Sequence, residues 1–193
     1  MLHNKYFEIM HHFLKGYNKE IYGRELIKKV TISQKNIAIT LDELEREAIL
    51  TSTKKGNVKY YSLNKLNPII KQYLLLFETE KTIEFLKKHP KISAIFERIN
   101  SSDSIIIVFG SYAKGTEKGD SDLDFFIIGE VNEQEIKKIG MSFNMKISIK
   151  KGNKKDFIHL LKEKNLLINE ILENHLILCG FEEFIDEIIK IKW

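Results

Sequence analysis

A glycine-serine pair closing an apolar strand, followed eleven residues later by two carboxylates spaced by one residue, restricts this chain more than any other feature. The stretch reads IIIVFGSYAKGTEKGDSDLDFFII and begins at Ile105. An unbroken β-branched run over 104–109 predicts a strand buried on both faces, which requires layers above and below the sheet. A second strand is expected at 122–128. Gly110 lets the backbone approach a ligand closely. The N–H groups after it, with the Ser111 hydroxyl, are placed to hold phosphate oxygens, because the amides of a turn entering a helix point outward with positive potential. Residues two apart on a strand share a face, so Asp122 and Asp124 project together, about 7 Å apart at Cα, while Leu123 and Phe125 turn the other way. Two hard carboxylates beside a phosphate cradle meet the needs of Mg²⁺.

Around this stretch the second half of the chain alternates. Helices are expected at 91–100, 132–139, 154–163, 166–174 and 181–191, with a strand at 143–149 and a short apolar segment at 175–179. A polar loop is expected between the two strands. In SFNMKISIK, Phe143, Met145, Ile147 and Ile149 take one face, and Asn144, Lys146 and Ser148 the other. The pattern is an α/β domain over 91–193 with a mixed sheet flanked by helices. The chain of 193 residues leaves room for a second, smaller domain. With Cys179 its one cysteine, no intramolecular disulfide can form, and a reducing cytoplasm is the expected setting. No apolar run approaches the ~20 residues of a membrane helix. The start MLHNKYFEIMHHF has no basic opening, apolar centre and small-residue cleavage site, so no signal peptide is read.

The first third has another character. Helices are expected at 5–15, with Tyr6, Ile9, Met10 and Phe13 on one face, and at 22–30, with Leu26, Ile27 and Val30 apolar. Ser33 is a suitable N-cap for a third helix, in which Ile37, Leu41 and Leu44 recur while Gln34, Lys35, Asn36 and Thr40 face away. LTSTKKGNVKYYSLN then predicts a hairpin turning at Gly56-Asn57, both supplying positive φ. Three helices and a hairpin are the winged helix-turn-helix order, and ISQKNIAITLDELEREAILTSTKKGNVKYYSLN resembles the recognition helix and wing of small prokaryotic winged-helix repressors. The resemblance implies duplex DNA as partner. Gln34, Lys35, Asn36 and Thr40 would approach the major groove, and Lys54, Lys55 and Lys59 the phosphates. Residues 1–66 hold 12 lysines and arginines against 7 acids, a balance of +5, whereas the remainder carries 19 against 20. The sequence departs from the family at Ala48, where glycine usually ends the helix, and at Ile39, where a basic residue often grips phosphate. Residues 67–90 then read as a linker helix, with Ile69, Ile70, Tyr73, Leu74 and Phe77 as its stripe and Pro90 as its stop. This helix serves either as a packed connector or as a homodimer contact, and the boundary between domains is expected inside it.

The Gly110-Ser111 and Asp122-Leu123-Asp124 elements resemble the nucleotidyltransferase superfamily of DNA polymerase β. Its signature is apolar-Gly-Ser, a loop, then Asp-apolar-Asp on the next strand. The compact form, with GSYAKG and DSDLD around a short loop, looks like the minimal nucleotidyltransferases of prokaryotes over roughly residues 92–190. The resemblance implies transfer of a nucleoside monophosphate from a nucleoside triphosphate, usually ATP, with Mg²⁺. It assigns Gly110 and Ser111 to the triphosphate, and Asp122 and Asp124 to the metals and to catalysis. Lys114 and Lys118 either touch phosphate or are solvated loop residues. Minimal nucleotidyltransferases often act as antitoxins that modify a helical toxin, so the family also implies a protein acceptor. The pattern calls for a third carboxylate on a later strand. The matching strand has none, and Asp156 lies beyond it at a helix start.

The overall expectation is α+β: a winged helix-turn-helix at 1–66, a linker helix at 67–90, and a small α/β nucleotidyltransferase domain. Two functions fit: an enzyme tethered to DNA, or a nucleotide-responsive regulator with a weak site. Other candidates are minor. His11 and His12 adjoin on a helix, and His159 and His175 have no Cys or His partner at metal spacing. Glu182, Glu183, Asp186 and Glu187 are expected on the solvated face of the last helix.

Overall fold

Tyr6, Ile9, Met10 and Phe13 recur at three- and four-residue spacing and form the buried face of α1 (Asn4–Phe13) in a computed structural model of the chain. Residues 4–99, 104–163 and 165–192 are described. They fall into two compact units, one mainly of residues up to Phe77 and the other Glu78–Ile191. After α1 the first unit contains β1 (Ile21–Tyr22), α2 (Gly23–Leu26), α3 (Gln34–Arg46), β2 (Leu50–Lys55) and β3 (Val58–Leu63), and the start of α4 (Ile70–Lys88). Its sheet is antiparallel with order β1-β3-β2. The helix expected over 22–30 shrinks to four residues. Ile21 and Tyr22 satisfy their backbone groups in the sheet, opposite Tyr61 and Tyr60, and Ile27 is left exposed.

Ser33 caps α3 by accepting the Asn36 N–H at 3.3 Å. Ile37, Leu41 and Leu44 are buried, and Thr40 is buried with them, contrary to its expected outward face. Positions 37, 40, 41 and 44 share one side of a helix with 3.6 residues per turn, so geometry overrides the polarity of the side chain. Thr40 Oγ1 has no hydrogen-bond partner. The helix ends at Ala48, which takes φ +55°. Ala48 N–H donates to Glu45 C=O at 2.9 Å and Ile49 N–H to Leu44 C=O at 3.0 Å, a Schellman arrangement in which glycine is the usual residue. In the hairpin only Gly56 has positive φ (+61°); Asn57, expected to share it, does not. Ile69 is also exposed rather than part of the buried stripe, because it precedes α4 in a turn where its N–H donates to Asn67 Oδ1 at 2.9 Å.

The second unit adds α5 (Pro90–Phe96), β4 (Ile105–Phe109), α6 (Gly110–Lys114), β5 (Leu123–Ile128), α7 (Glu133–Ser142), β6 (Ile147–Gly152), α8 (Lys154–Lys162), α9 (Leu166–Glu173), β7 (Leu176–Cys179) and α10 (Phe181–Lys192). The sheet order is β6-β5-β4-β7, with β5 and β6 parallel and the other pairs antiparallel, so the sheet is mixed. All five residues of β4 are buried, as a strand covered on both faces demands. Ile106, Val108, Leu123, Phe125 and Ile127 pack with Ile92, Ile95 and Ile136 on one side. On the other, the Phe157 ring lies 6.1 Å from Phe126 and 5.9 Å from Phe184, fixing α8 and α10 over the sheet. The acidic cluster of α10 is not wholly solvated: Glu187 is buried, with Lys190 at 3.1 Å and Lys154 at 3.2 Å. Among the described residues no helix is long and apolar enough to cross a membrane.

An ionic cluster lies inside this unit. Glu78 is fully buried, with Oε1 3.0 Å from His175 Nε2 and Oε2 2.5 Å from Lys81 Nζ. His175 Nδ1 is 3.0 Å from Leu172 C=O. Burial pushes the Glu78 carboxyl up, but the charges of His175 and Lys81 outweigh it and hold the group at about 2.

Candidate active site

β4 reaches Phe109 in an extended conformation, and Gly110 turns the chain into α6 with φ +73°. Phe109 stands opposite Asp124 in the ladder. A Cβ added to Gly110 would fall well inside 3.0 Å of Asp124 Oδ2, at 3.2 Å from its Cγ and 3.4 Å from its Cβ. Only glycine lets the strand end and this carboxylate share the space. The segment expected as a polar loop begins as the short helix α6, which Gly115 stops with φ +67°. Thr116 N–H then donates to Ser111 C=O at 3.0 Å, tying the turn to its own start.

Asp122 and Asp124 are half-buried, and Leu123 and Phe125 between and beyond them are fully buried on the opposite face. On the neighbouring strand Leu123 pairs with Ile147, Asp124 with Ser148 and Phe126 with Lys150. The face carrying the carboxylates therefore continues as Lys146, just before β6, and Ser148 and Lys150 on it. Lys146 Nζ sits 2.7 Å from Asp122 Oδ2, and this bond raises its pKa. Lys150 Nζ lies 5.6 Å from the centroid of the Phe109 ring. Lys114, exposed at the end of α6, is bound to Glu170 of α9 at 2.6 Å, which together with Lys150 lowers the Glu170 carboxyl. Lys118 is exposed, with its N–H donating to Ser121 Oγ at 2.8 Å. Asp156 is spent on a capping box at the start of α8.

The donor chemistry suits one hard cation. Asp122 and Asp124 offer carboxylate oxygens on one face beside a glycine that keeps side chains out. Level with Asp124 on β6 stands the neutral Ser148. Among the described residues no three or more His, Cys, Asp or Glu gather at metal-holding distance. A cavity of about 480 Å³ reaches Asp122, with His89, Tyr112 and Lys146 also in its lining; Asp124, Gly110 and Ser111 do not line it. His89 Nε2 is 3.7 Å from Glu117 Oε1, and its ring lies edge-on to Tyr112 at 5.7 Å. Burial, then the Glu117 charge, raises the Tyr112 hydroxyl. Sequence reasoning passed over His89, Tyr112 and Glu170 because no local pattern ties them to the aspartates.

The residues expected to meet DNA are arranged unevenly. Gln34, Lys35 and Asn36 are exposed in the first turn of α3, whereas buried Thr40 offers no contact surface. Lys54 is exposed on β2. Lys55 is paired with Glu20 in an exposed bridge, and its ammonium lies 5.2 Å from the Tyr60 ring centroid. Lys59 is held inward instead, 2.6 Å from Glu45 and 3.1 Å from Asp42 on α3, and Glu45 leads in raising its pKa.

In comparison with known proteins, the family described as Polymerase beta, Nucleotidyltransferase matches residues 80–183, just over half the chain. No curated protein and no solved structure matches.

Proposed function

Because the chain belongs to the polymerase β nucleotidyltransferase family, we propose that it transfers AMP from ATP to a hydroxyl of a protein or small molecule, with Mg²⁺ held by Asp122 and Asp124. The observation that carries this reading is the fit of the Asp124 carboxylate against Gly110, with Asp122 on the same face. Backbone amides at the start of α6 and the Ser111 hydroxyl bind the triphosphate. The acceptor oxygen attacks the α-phosphorus, the bond from that phosphorus to the β-phosphate's bridging oxygen breaks, and pyrophosphate leaves. The hydroxyl proton passes to water in the open cavity. Mg²⁺, when bound, neutralises the phosphate oxygens and the departing charge.

The first unit is read as a winged helix. Its order of helices and hairpin and the exposed Gln34, Lys35, Asn36 and Lys54 support duplex DNA as a partner. Leu76 and Ile83, exposed and seven residues apart on α4, support a homodimer. A helical toxin remains the protein acceptor that the family suggests, and the cytoplasm the setting.

A second reading, a nucleotide-responsive repressor without turnover, is favoured by Ser148 standing where an anionic ligand would help and by Lys146 on Asp122. Incubation with labelled ATP, Mg²⁺ and a host lysate separates the two. A labelled acceptor lost in Asp122→Ala and Asp124→Ala supports transfer; nucleotide binding without labelling supports the repressor. Absence of nucleotide binding defeats both.

A further inference from the structure

The face around Asp122 and Asp124 is unusually rich in ammonium groups. Asp122 stands just before β5 and Asp124 on it; beside them are Lys146, just before β6, and Ser148, with Lys150 one step further along, opposite Phe126. Lys146 Nζ already makes a 2.7 Å ion pair with Asp122 Oδ2. Level with Asp124, the Ser148 hydroxyl is a neutral donor set between two lysines. Glu170 of α9 is committed to Lys114 at 2.6 Å, and Asp120, exposed two residues before Asp122, lines the same cavity as it. Two divalent cations side by side need bridging or additional anionic oxygens to offset their mutual repulsion. Here the place for such an oxygen holds a hydroxyl, and the space next to Asp122 holds a positive charge.

We infer that this site takes a single divalent cation with its nucleotide, the Lys146 ammonium standing in for a second. The inference rests on the nucleotidyltransferase reading above. Lys146 is a nucleotide-binding residue: it balances Asp122 in the free protein and offers its charge to a phosphate oxygen when the nucleotide enters. Its side chain is 79% exposed, so it moves between these partners without disturbing the core.

Cation counting tests this on the full chain. Mn²⁺ bound per chain is measured by electron paramagnetic resonance at saturating α,β-methylene ATP, an analogue that cannot be cleaved at the reacting bond. The unsubstituted protein is expected to hold one Mn²⁺, its own nucleotide's included. The Lys146→Met/Ser148→Asp double variant, which removes the ammonium and adds a carboxylate level with Asp124, is expected to hold two. Two Mn²⁺ on the unsubstituted protein overturn the inference and leave nucleotidyl transfer standing. A double variant that melts normally, binds the analogue and still holds one overturns it as well. If the unsubstituted protein binds no analogue, the transferase reading falls and takes this one with it.

Discussion

Gly110→Ala should disable the site through a collision that its companion, Gly115→Ala, does not make. Both glycines have left-handed φ, +73° and +67°, so alanine at either pays about 1–2 kcal/mol in backbone strain. Part of this is offset by the lower entropy of the unfolded chain, worth ~0.4–1 kcal/mol. Around Gly115 no atom lies within 4 Å of an added Cβ, so its variant should lose only about 0.5–1 kcal/mol of stability. At Gly110 the added Cβ falls well inside 3.0 Å of Asp124 Oδ2, and the Asp124 Cγ and Cβ at 3.2 and 3.4 Å leave the side chain no easy pivot. The carboxylate must retreat on the order of 1 Å, a displacement that can cost ~100-fold where geometry matters this much. Calorimetric titration with ATP and Mg²⁺, alongside thermal melts, reads both quantities. Gly110→Ala should bind about 100-fold more weakly than Gly115→Ala. Equal affinities for the two variants would refute the argument that Asp124 is held at its working position by the missing side chain.

Ala48→Gly should raise the melting temperature of the first unit by roughly 2–6 °C, since glycine relieves a left-handed alanine at the end of α3; a lower temperature would mean that the helix end is held by something other than the Schellman bonds. Thr40→Val should leave stability unchanged or raise it by ~1 kcal/mol, because it removes a buried hydroxyl without a partner, and it should not alter DNA retention in a gel shift. A loss above ~1 kcal/mol would reveal a needed hydroxyl. The Glu78 carboxyl is depressed in the folded state from 4.5 to about 2, so its contribution is complete above the unfolded value and is lost as pH falls from 4.5 toward 2. Glu78→Gln should cost about 3–5 kcal/mol at neutral pH by taking the carboxylate away from the largely buried Lys81 ammonium. It should also flatten the acid limb of a denaturation series, and parallel limbs would reject the assignment.

Much of this architecture is written in local patterns. The run from Ile105 to Phe109 can bury all its side chains only inside a covered sheet, and the alternation through Asp122, Leu123, Asp124 and Phe125 by itself sets the carboxylates on one face. Ser33 marked the start of α3 by its own side-chain chemistry. Thr40 is polar by type and buried by helical angle, so polarity alone points it the wrong way. β1 escaped because two residues are too few for a period, and their strand exists only through Tyr60 and Tyr61. Which lysine meets which acid is a property of the folded chain: Lys59 reaches back to α3, Lys114 meets Glu170 across 56 positions, and Glu78 meets His175 across 97. Local periodicity carries no information about such pairs.

Among the described residues β6 is an edge strand, hydrogen-bonded to β5 and to no strand beyond it. The wall inferred to set the number of cations held thus lies at an edge of the sheet. Lys146 is largely in solvent and Ser148 is half-buried, so a change of donor there leaves the apolar layers intact. At Asp124, wedged against Gly110, or at Phe125, wholly enclosed, the same exchange would force the fold to give way. On the proposed function, one or two substitutions at this rim would shift the balance between turnover and mere nucleotide sensing, while Gly110 and its aspartates stayed in place.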